Sequence, residues 1–306
     1  MNYGKKATMQ LLRKYDNKSS KVKNKFKLIV LKILLVVVIV AGAAGISSGI
    51  GVMKGIIDSA PDISKIDVTP TGYSTTVLAA NGEETATLVG QGANRQYVTI
   101  DEIPLDLQHA FVAIEDERFY DHNGIDLHGR AFISGLSKGR FSEGASTITQ
   151  QLIKNNVLTS WTSETSFVEK LQRKIQEQYL ALELEKQVND KDWILENYMN
   201  SVNLGANTLG VQAASKKYFN KDVSELTLSE ASVIAGITQN PSGYNPITHP
   251  DKNAKRREKV LNNMKDQGYI SKAQYDEAMA DDVYSRIAEY NTTGSGSVNT
   301  YFIDAL

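Results

Sequence analysis

An uncharged apolar stretch near the N-terminus constrains this chain more than any other feature. Residues 33–53 read ILLVVVIVAGAAGISSGIGVM and lie between Lys32 and Lys54. A helix of 21 residues rises about 1.5 Å per residue, so it matches the roughly 30 Å hydrocarbon core of a bilayer. The stretch therefore predicts a transmembrane helix.

The charge on the two sides of this stretch is very unequal. Residues 1–32 contain ten Lys/Arg and one acid, Asp16, whereas residues 55–306 contain 23 Lys/Arg and 34 Asp/Glu, a net charge of −11. Because Lys and Arg collect on the cytoplasmic side, we expect a single-pass protein of the plasma membrane with residues 1–32 in the cytoplasm and 55–306 outside. The acidic body also argues against nucleic acid as a partner.

A cleaved signal peptide is the alternative interpretation of the N-terminus. Ala41-Gly42-Ala43 offers a small-residue cleavage site after a short apolar core. The anchor is favoured because 32 residues make a long basic region and because the apolar stretch continues through Ile50 and Val52. Release of the protein from membranes by high salt alone would contradict the anchor.

The segment after the anchor, residues 54–94, is expected to be an extracytoplasmic linker with a short β-hairpin. Residues 73–89 are rich in Thr and Val and contain Asn81-Gly82, a dipeptide typical of tight hairpin turns.

The rest of the chain is predicted to be mainly α. From Leu105 onward the apolar residues Leu107, Phe111 and Ile114 form one helical stripe that ends at Glu115. Capping boxes begin two further helices, at Thr227 with Glu230 and at Ser271 with Gln274. Helices are predicted at residues 144–156, 164–187, 190–203, 227–239, 252–267 and 271–281.

The first polar cluster lies in EDERFYDHNG, residues 115–124. A carboxylate at the end of an apolar helical face is partly desolvated, which suits Glu115 to the role of a general base. Taken alone, helix capping or salt bridging by Glu115 and Asp116 is the better interpretation. Phe119 and His122 complete the cluster.

The second cluster lies in GASTITQQLIKNN, residues 144–156. N–H groups and hydroxyls at a helix start bind phosphate oxygens well, and a lysine two turns later adds charge. Ordinary Ser/Thr capping would explain part of this pattern, but not two consecutive glutamines. The candidate residues are Ser146, Thr147, Gln150, Gln151, Lys154 and Asn155.

Two further clusters are weaker on their own. Arg173 and Glu177, which flank Lys174, lie at i and i+4 on one helix face, a spacing most often occupied by a solvated salt bridge. Glu196 and Asn200 have the same spacing in KDWILENYMN, where the residues alone favour a structural role.

Metal and thiol chemistry find little support in the sequence. The chain has no cysteine and four histidines, and no His/Asp spacing repeats a metal motif. A hydrogen-bonded structural role is therefore favoured for His122.

Together these clusters resemble the family 51 peptidoglycan glycosyltransferases, the polymerase half of class A penicillin-binding proteins. The similarity covers about residues 95–285, in an ordered series of segments that a chance match would not produce. These segments are EDERFYDHNG, GASTITQQLIKN, RKIQE, KDWILENYMN, GVQAASKKYFNK and LSEASVIAGITQNPSGYNP. The family architecture is a mostly helical, lysozyme-like lobe with a small membrane-dipping lobe, here expected near Ile125 to Phe141.

The resemblance implies that the partners are lipid II, a lipid-linked glycan strand and the membrane, and that the bond formed is β-1,4 with inversion. Glu115 matches the general base. Glu177 matches the second carboxylate, which would assist the pyrophosphate end, with a divalent metal, Mg²⁺ or Mn²⁺, as the cofactor it implies. Lys154, Arg173 and Lys174 would offset the charge of the departing pyrophosphate.

Other residues take supporting roles under this resemblance. Ser146, Thr147, Gln150 and Gln151 would position phosphates and sugar, whereas Asp116 and His122 would shape the loop around Glu115. Phe119, Asn155, Glu196 and Asn200 are included as candidate substrate contacts.

A penicillin-binding transpeptidase needs an SxxK, an SxN and a KTG motif. Ser20 to Lys23 fits SxxK, but it lies in the basic tail. Ser201 to Asn203 fits SxN, but it directly follows KDWILENYMN and belongs to the same cluster. No KTG occurs. We therefore expect no penicillin labelling. Residues 95–285 are the expected glycosyltransferase domain, and 286–306 the start of a linker to a transpeptidase domain; a natural monofunctional enzyme is the alternative.

Two other functions are alternatives to glycan synthesis. One is a lysozyme-like lytic enzyme, which is disfavoured because glycan cleavage has no use for the Lys154 and Arg173 cations or for an anchor. The other is a non-catalytic cell-wall scaffold that recruits elongation or division proteins. The presence of both Glu115 and Glu177 argues against it.

Overall fold

The computed structural model describes residues 4–16, 18–65, 67–73, 75–82, 84–88, 95–126, 146–158 and 164–287. Contacts divide the chain into two compact units, Met1–Ser59 and Ala60–Leu306. The predicted membrane-dipping segment lies outside the described residues from residue 127 to 141, as do residues 288–306 of the predicted linker.

The first unit consists of two helices, α1 (Lys5–Asp16) and α2 (Lys18–Asp58). Among the described residues, one helix is long and apolar enough to cross a membrane, at Val22–Asp58. The predicted span is thus helical, but α2 is 41 residues long and extends well into the basic tail. Lysine is a good helix former, so positive charge does not end the helix.

The second unit contains a β-hairpin near its start, after a 3-10 turn at Ile63–Lys65. Strand β1 (Thr75–Leu78) pairs antiparallel with β2 (Glu84–Leu88). Gly82, with φ +85°, supplies the left-handed backbone that the turn needs. The hairpin predicted from Asn81-Gly82 is therefore present.

The remaining described residues are mainly helical, as predicted. The helices are α3 (Leu105–Glu115), α4 (Ile148–Asn156), α5 (Phe167–Val188), α6 (Lys191–Ser201), α7 (Val211–Phe219), α8 (Leu228–Ala235), α9 (Pro250–Asp266) and α10 (Lys272–Ala280).

The sequence does not predict helix α7. It follows Gly210, which has no side chain with which to cap the first turn, so the usual start signal is absent. The predicted helix at 144–156 begins later than expected, at Ile148, because Thr147 is its N-cap and accepts a hydrogen bond from the Gln150 N–H.

Helix α3 lies in the centre of the second unit. It packs against α8 and α9, and its residues Leu107, Phe111 and Val112 are fully buried. Full burial of a side chain of this size stabilises the fold by about 1.5–3 kcal/mol. Helix α4 packs against α5 and α6. The end of α3, where Glu115 lies, is therefore held in a fixed position.

Candidate active site

Glu115 is the last residue of α3, and its side chain is 9% exposed. Gln151 Nε2 donates to its Oε2 at 2.8 Å, and the Thr238 hydroxyl donates to its Oε1. Arg256 Nη2 lies 4.0 Å from Oε1. Both oxygens of the Glu115 carboxylate therefore accept a hydrogen bond from a neutral side chain.

Tyr198 fixes the orientation of the Gln151 amide. Its hydroxyl donates to Gln151 Oε1 at 3.1 Å, which leaves the amide nitrogen facing Glu115. Burial raises the pKa of Tyr198 well above its ordinary value, and the charges of Glu115 and Asp116 raise it further. Tyr198 therefore stays a neutral donor.

Asp116 joins the loop after α3 to the start of α4. His122 Nε2 lies 2.9 and 3.0 Å from its two oxygens, and the Ile148 N–H donates to Oδ2 at 2.9 Å. A carboxylate at a helix N-terminus is also favoured by the helix dipole. Asp116 therefore connects His122 in the loop after α3 to the first turn of α4.

Gly124 also connects the loop after α3 to the start of α4. Its carbonyl accepts from Thr147 Oγ1 at 2.8 Å and from Gln150 Nε2 at 3.3 Å. Its φ is +84°, and a Cβ there would lie 2.6 Å from the Ala181 carbonyl oxygen on α5. Thr147 and Gln150, predicted to position phosphates, are thus engaged by the protein.

The Glu177 carboxylate on α5 is completely buried between two cations. Arg173 pairs with its Oε1, and Lys174 Nζ lies 2.6 Å from its Oε2. Arg173 also pairs with Glu164, Nε to Oε1 2.8 Å. Burial lowers the pKa of Arg173, but Glu164 and Glu177 more than offset this effect and raise it. The Arg173–Glu177 ion pair expected from the spacing is therefore present, but it is buried and not solvated.

Ser146 lies between the two carboxylates. Its hydroxyl accepts from Lys174 Nζ at 2.7 Å, and its carbonyl oxygen lies 3.4 Å from Gln151 Nε2. The structure thus brings the Glu115 and Glu177 centres to the same segment. Lys154 and Asn155 lie half-buried in the last turn of α4.

Of three further predicted substrate contacts, Phe119 and Asn200 are buried and Glu196 is partly exposed. Phe119 is fully buried, with Lys191 Nζ 4.6 Å from its ring centroid. Glu196 accepts from the Ile100 N–H at 2.6 Å. Asn200 bonds the Val98 N–H and carbonyl at 3.0 and 2.8 Å. Glu196 and Asn200 thus attach residues 98–100 to α6, the structural role that their residue types favoured.

Three residues that contact the site escaped the sequence analysis: Thr238, Arg256 and Glu164. Thr238 lies in the turn after α8, within a segment recognised only by its resemblance, and Arg256 is one of several cations along α9. Sequence spacing gives no signal that either residue contacts Glu115.

The described residues do not fit a resident metal ion. Among them, no group of three or more His, Asp and Glu side chains has an arrangement that holds a metal. Each oxygen of Glu177 faces a cation, which would repel a divalent ion there.

Comparison with known sequences decides the family. The sequence profile of the Transglycosylase family matches residues 81–265. The chain belongs to this family. The predicted resemblance to the glycosyltransferase domain of class A penicillin-binding proteins is confirmed, and the Transglycosylase match supports glycosyltransferase activity. The helical packing described above is consistent with the lysozyme-like lobe of that family.

Three relatives show the extent of the similarity. Penicillin-binding protein 1F of Bacillus subtilis is 46% identical over 65% of this chain and 27% of its own length. Penicillin-binding protein 1A/1B of the same species is 38% identical over 87% of this chain and 29% of its own length. Penicillin-binding protein 1A of Escherichia coli is 41% identical over 80% and 28%. The transglycosylase thus spans less than a third of these relatives.

A solved structure, penicillin-binding protein 1A from Haemophilus influenzae, is also similar. It is 24% identical, with a TM-score of 0.37, over 71% of this chain and 21% of that chain. A likeness of this size adds nothing to the fold described above.

Proposed function

We propose that this transglycosylase polymerises lipid II into β-1,4-linked glycan and inverts the anomeric centre, with Glu115 as the general base. The 4-hydroxyl of the acceptor sugar forms the new C–O bond to C1 of the donor. Its proton passes to Glu115, and the bond from C1 to the undecaprenyl pyrophosphate breaks with its electron pair leaving on the phosphate oxygen.

The surroundings of the Glu115 carboxylate carry this proposal. A base must be ionised before the reaction and able to become neutral during it. Gln151 and Thr238 are neutral donors that support the ionised form, while Arg256 stays 4.0 Å away. The side chain also keeps 9% exposure, so an acceptor hydroxyl can reach it.

The leaving group is assigned to the Glu177 centre. Arg173 and Lys174 provide fixed positive charge where negative charge develops, which is where preorganised cations are most effective. Lys154 is proposed to add to this charge. We assign Glu177 the task of holding the two cations, because its oxygens already face them.

The N-terminal helix gives this chemistry its location. An N-terminus in the cytoplasm and a catalytic unit outside would tether the enzyme to the surface that carries its lipid substrates. Elongation or division proteins are proposed partners of the anchored enzyme.

The test is the replacement Glu115→Gln, assayed with lipid II in detergent. We expect polymerisation to fall by at least about a hundredfold, the usual contribution of a general base, while lipid II still binds. Glu117→Gln is the matched control, because Glu117 is exposed and two residues away; it should keep wild-type activity.

Two results would contradict the proposal. Full activity of Glu115→Gln would remove Glu115 as the base. Shortening of preformed glycan strands by the wild-type enzyme, without polymer formation from lipid II, would instead favour the lytic alternative.

A further inference from the structure

The Thr238 hydroxyl has two partners but a single proton. It lies within hydrogen-bond distance of Glu115 Oε1 and 3.0 Å from the Ala235 carbonyl oxygen. A hydroxyl donates one hydrogen bond and accepts up to two. It can therefore donate to only one of these two acceptors at a time.

This arrangement matches both protonation states of Glu115. When the carboxylate is ionised, the Thr238 hydroxyl donates to Oε1. When Oε1 carries a proton, the Thr238 hydroxyl can turn to the Ala235 carbonyl and accept the carboxyl proton on its own oxygen. Glu115 Oε1 therefore keeps a hydrogen-bond partner at Thr238 in both states, while the Ala235 carbonyl accepts from Thr238 only when Oε1 is protonated.

The other oxygen of Glu115 has no such freedom. Oε2 accepts from Gln151 Nε2, and the opposite end of that amide accepts from the Tyr198 hydroxyl. A proton on the Oε2 lone pair that faces Gln151 would meet an N–H donor. Turning the amide over would place its oxygen, which cannot donate, against the Ser146 carbonyl oxygen that now lies 3.4 Å from Nε2.

The charged and titratable groups around Glu115 do not replace this function. Arg256 Nη2 on α9 is too far for a hydrogen bond at 4.0 Å, so it acts only through its charge. Tyr198 on α6 contacts Glu115 only through Gln151. Asp116 is bonded to His122 and to the start of α4.

We propose that Thr238 is a positioning residue whose hydroxyl reverses its hydrogen bond as Glu115 gains and loses the proton, which holds the carboxyl group in one place through the catalytic cycle. This inference rests on the proposed role of Glu115 as the base.

The experiment compares Thr238→Val, which removes the hydroxyl at nearly constant volume, with Thr238→Ser, which keeps it. Loss of a hydrogen bond to a charged group corresponds to a fall in kcat of about tenfold or more, with little change in KM. The acidic limb of the pH–rate profile should move to higher pH, because the ionised base loses a donor. Thr238→Ser should restore both.

Thr208→Val is the matched control. Thr208 also donates to a carbonyl three residues back, Gly205 at 2.7 Å, but belongs to neither carboxylate centre. It should leave kcat and the pH profile unchanged. Thermal unfolding of each variant separates misfolding from a catalytic effect, and Thr238→Ala provides a second hydroxyl-free variant if Thr238→Val does not fold.

Three results have distinct meanings. Wild-type kcat and pH profile in Thr238→Val would overturn the inference. So would a Thr238→Ser variant that folds normally but is as impaired as Thr238→Val, because that would indicate packing. If Glu115→Gln is inactive while Thr238→Val is normal, only the role of Thr238 fails; if Glu115→Gln is active, the proposed base fails as well.

Discussion

Two glutamates are each linked to Ser146 through one other side chain, and their surroundings are opposite. Glu115 accepts from the neutral groups of Gln151 and Thr238 and keeps slight exposure. Glu177 is completely buried and paired with two cations. A carboxylate held by neutral donors can become neutral at modest cost, whereas one enclosed by cations cannot. The contrast suits Glu115 to the proposed proton transfer and Glu177 to the proposed holding of two cations.

The largest expected difference between the two centres is in stability. Glu177→Gln leaves Arg173 and Lys174 without their buried partner, so we expect the free energy of unfolding to fall by about 3 kcal/mol. Glu115→Gln should lower it by less than about 1 kcal/mol, because its single cationic neighbour among the described residues, Arg256, lies 4.0 Å away and makes no hydrogen bond to it. Urea unfolding of both variants in the same detergent measures this, and equal losses would erase the contrast.

A smaller effect is expected for the support behind Glu115. Tyr198→Phe frees the Gln151 amide, and a neutral hydrogen bond of this kind corresponds to a fall in kcat of about three- to tenfold. Tyr218→Phe is the control, because the Tyr218 hydroxyl is equally buried but donates to the Leu204 carbonyl at 2.7 Å. Both variants should lose similar stability, and a fall in kcat with Tyr218→Phe would argue against a specific role for Tyr198.

The smallest effect is expected at an exposed ion pair. The hydrogen bond from Arg286 lowers the pKa of Asp281 to about 2, from 3.8. Its contribution is therefore present above pH 3.8 and is lost as the pH falls through about 2. Because the pair is partly solvated, Asp281→Asn should cost less than about 0.5 kcal/mol at pH 7. The difference in Tm from wild type should vanish near pH 2; a constant difference would contradict an electrostatic origin.

The sequence predicted those parts of the fold that have local causes. The capping boxes at Thr227 and Ser271 are present as expected, and Asn81-Gly82 turns the hairpin. Helix α7, which the sequence does not predict, follows Gly210, where no side chain marks the start of a helix. Local signals therefore account for most of the boundaries.

The site was predictable only in part, for a physical reason. Asp116, His122, Ser146 and Gln151 lie in compact motifs, and the structure brings them together around Glu115. Thr238 and Arg256 reach Glu115 only through the packing of α3 against α8 and α9. The burial of Glu177 also depends on tertiary packing, because an i, i+4 spacing does not tell which side of a helix faces water.

The close contacts of Gly124 with α4 and α5 have a consequence for recombining homologous domains. The Gly124 carbonyl accepts hydrogen bonds from the start of α4, and because glycine has no Cβ the backbone of α5 can approach closely. Segments that meet in this way are not independent modules. Chimaeric enzymes should therefore inherit residues 115–124, 146–151 and the middle of α5 from one parent, while crossovers elsewhere carry less risk.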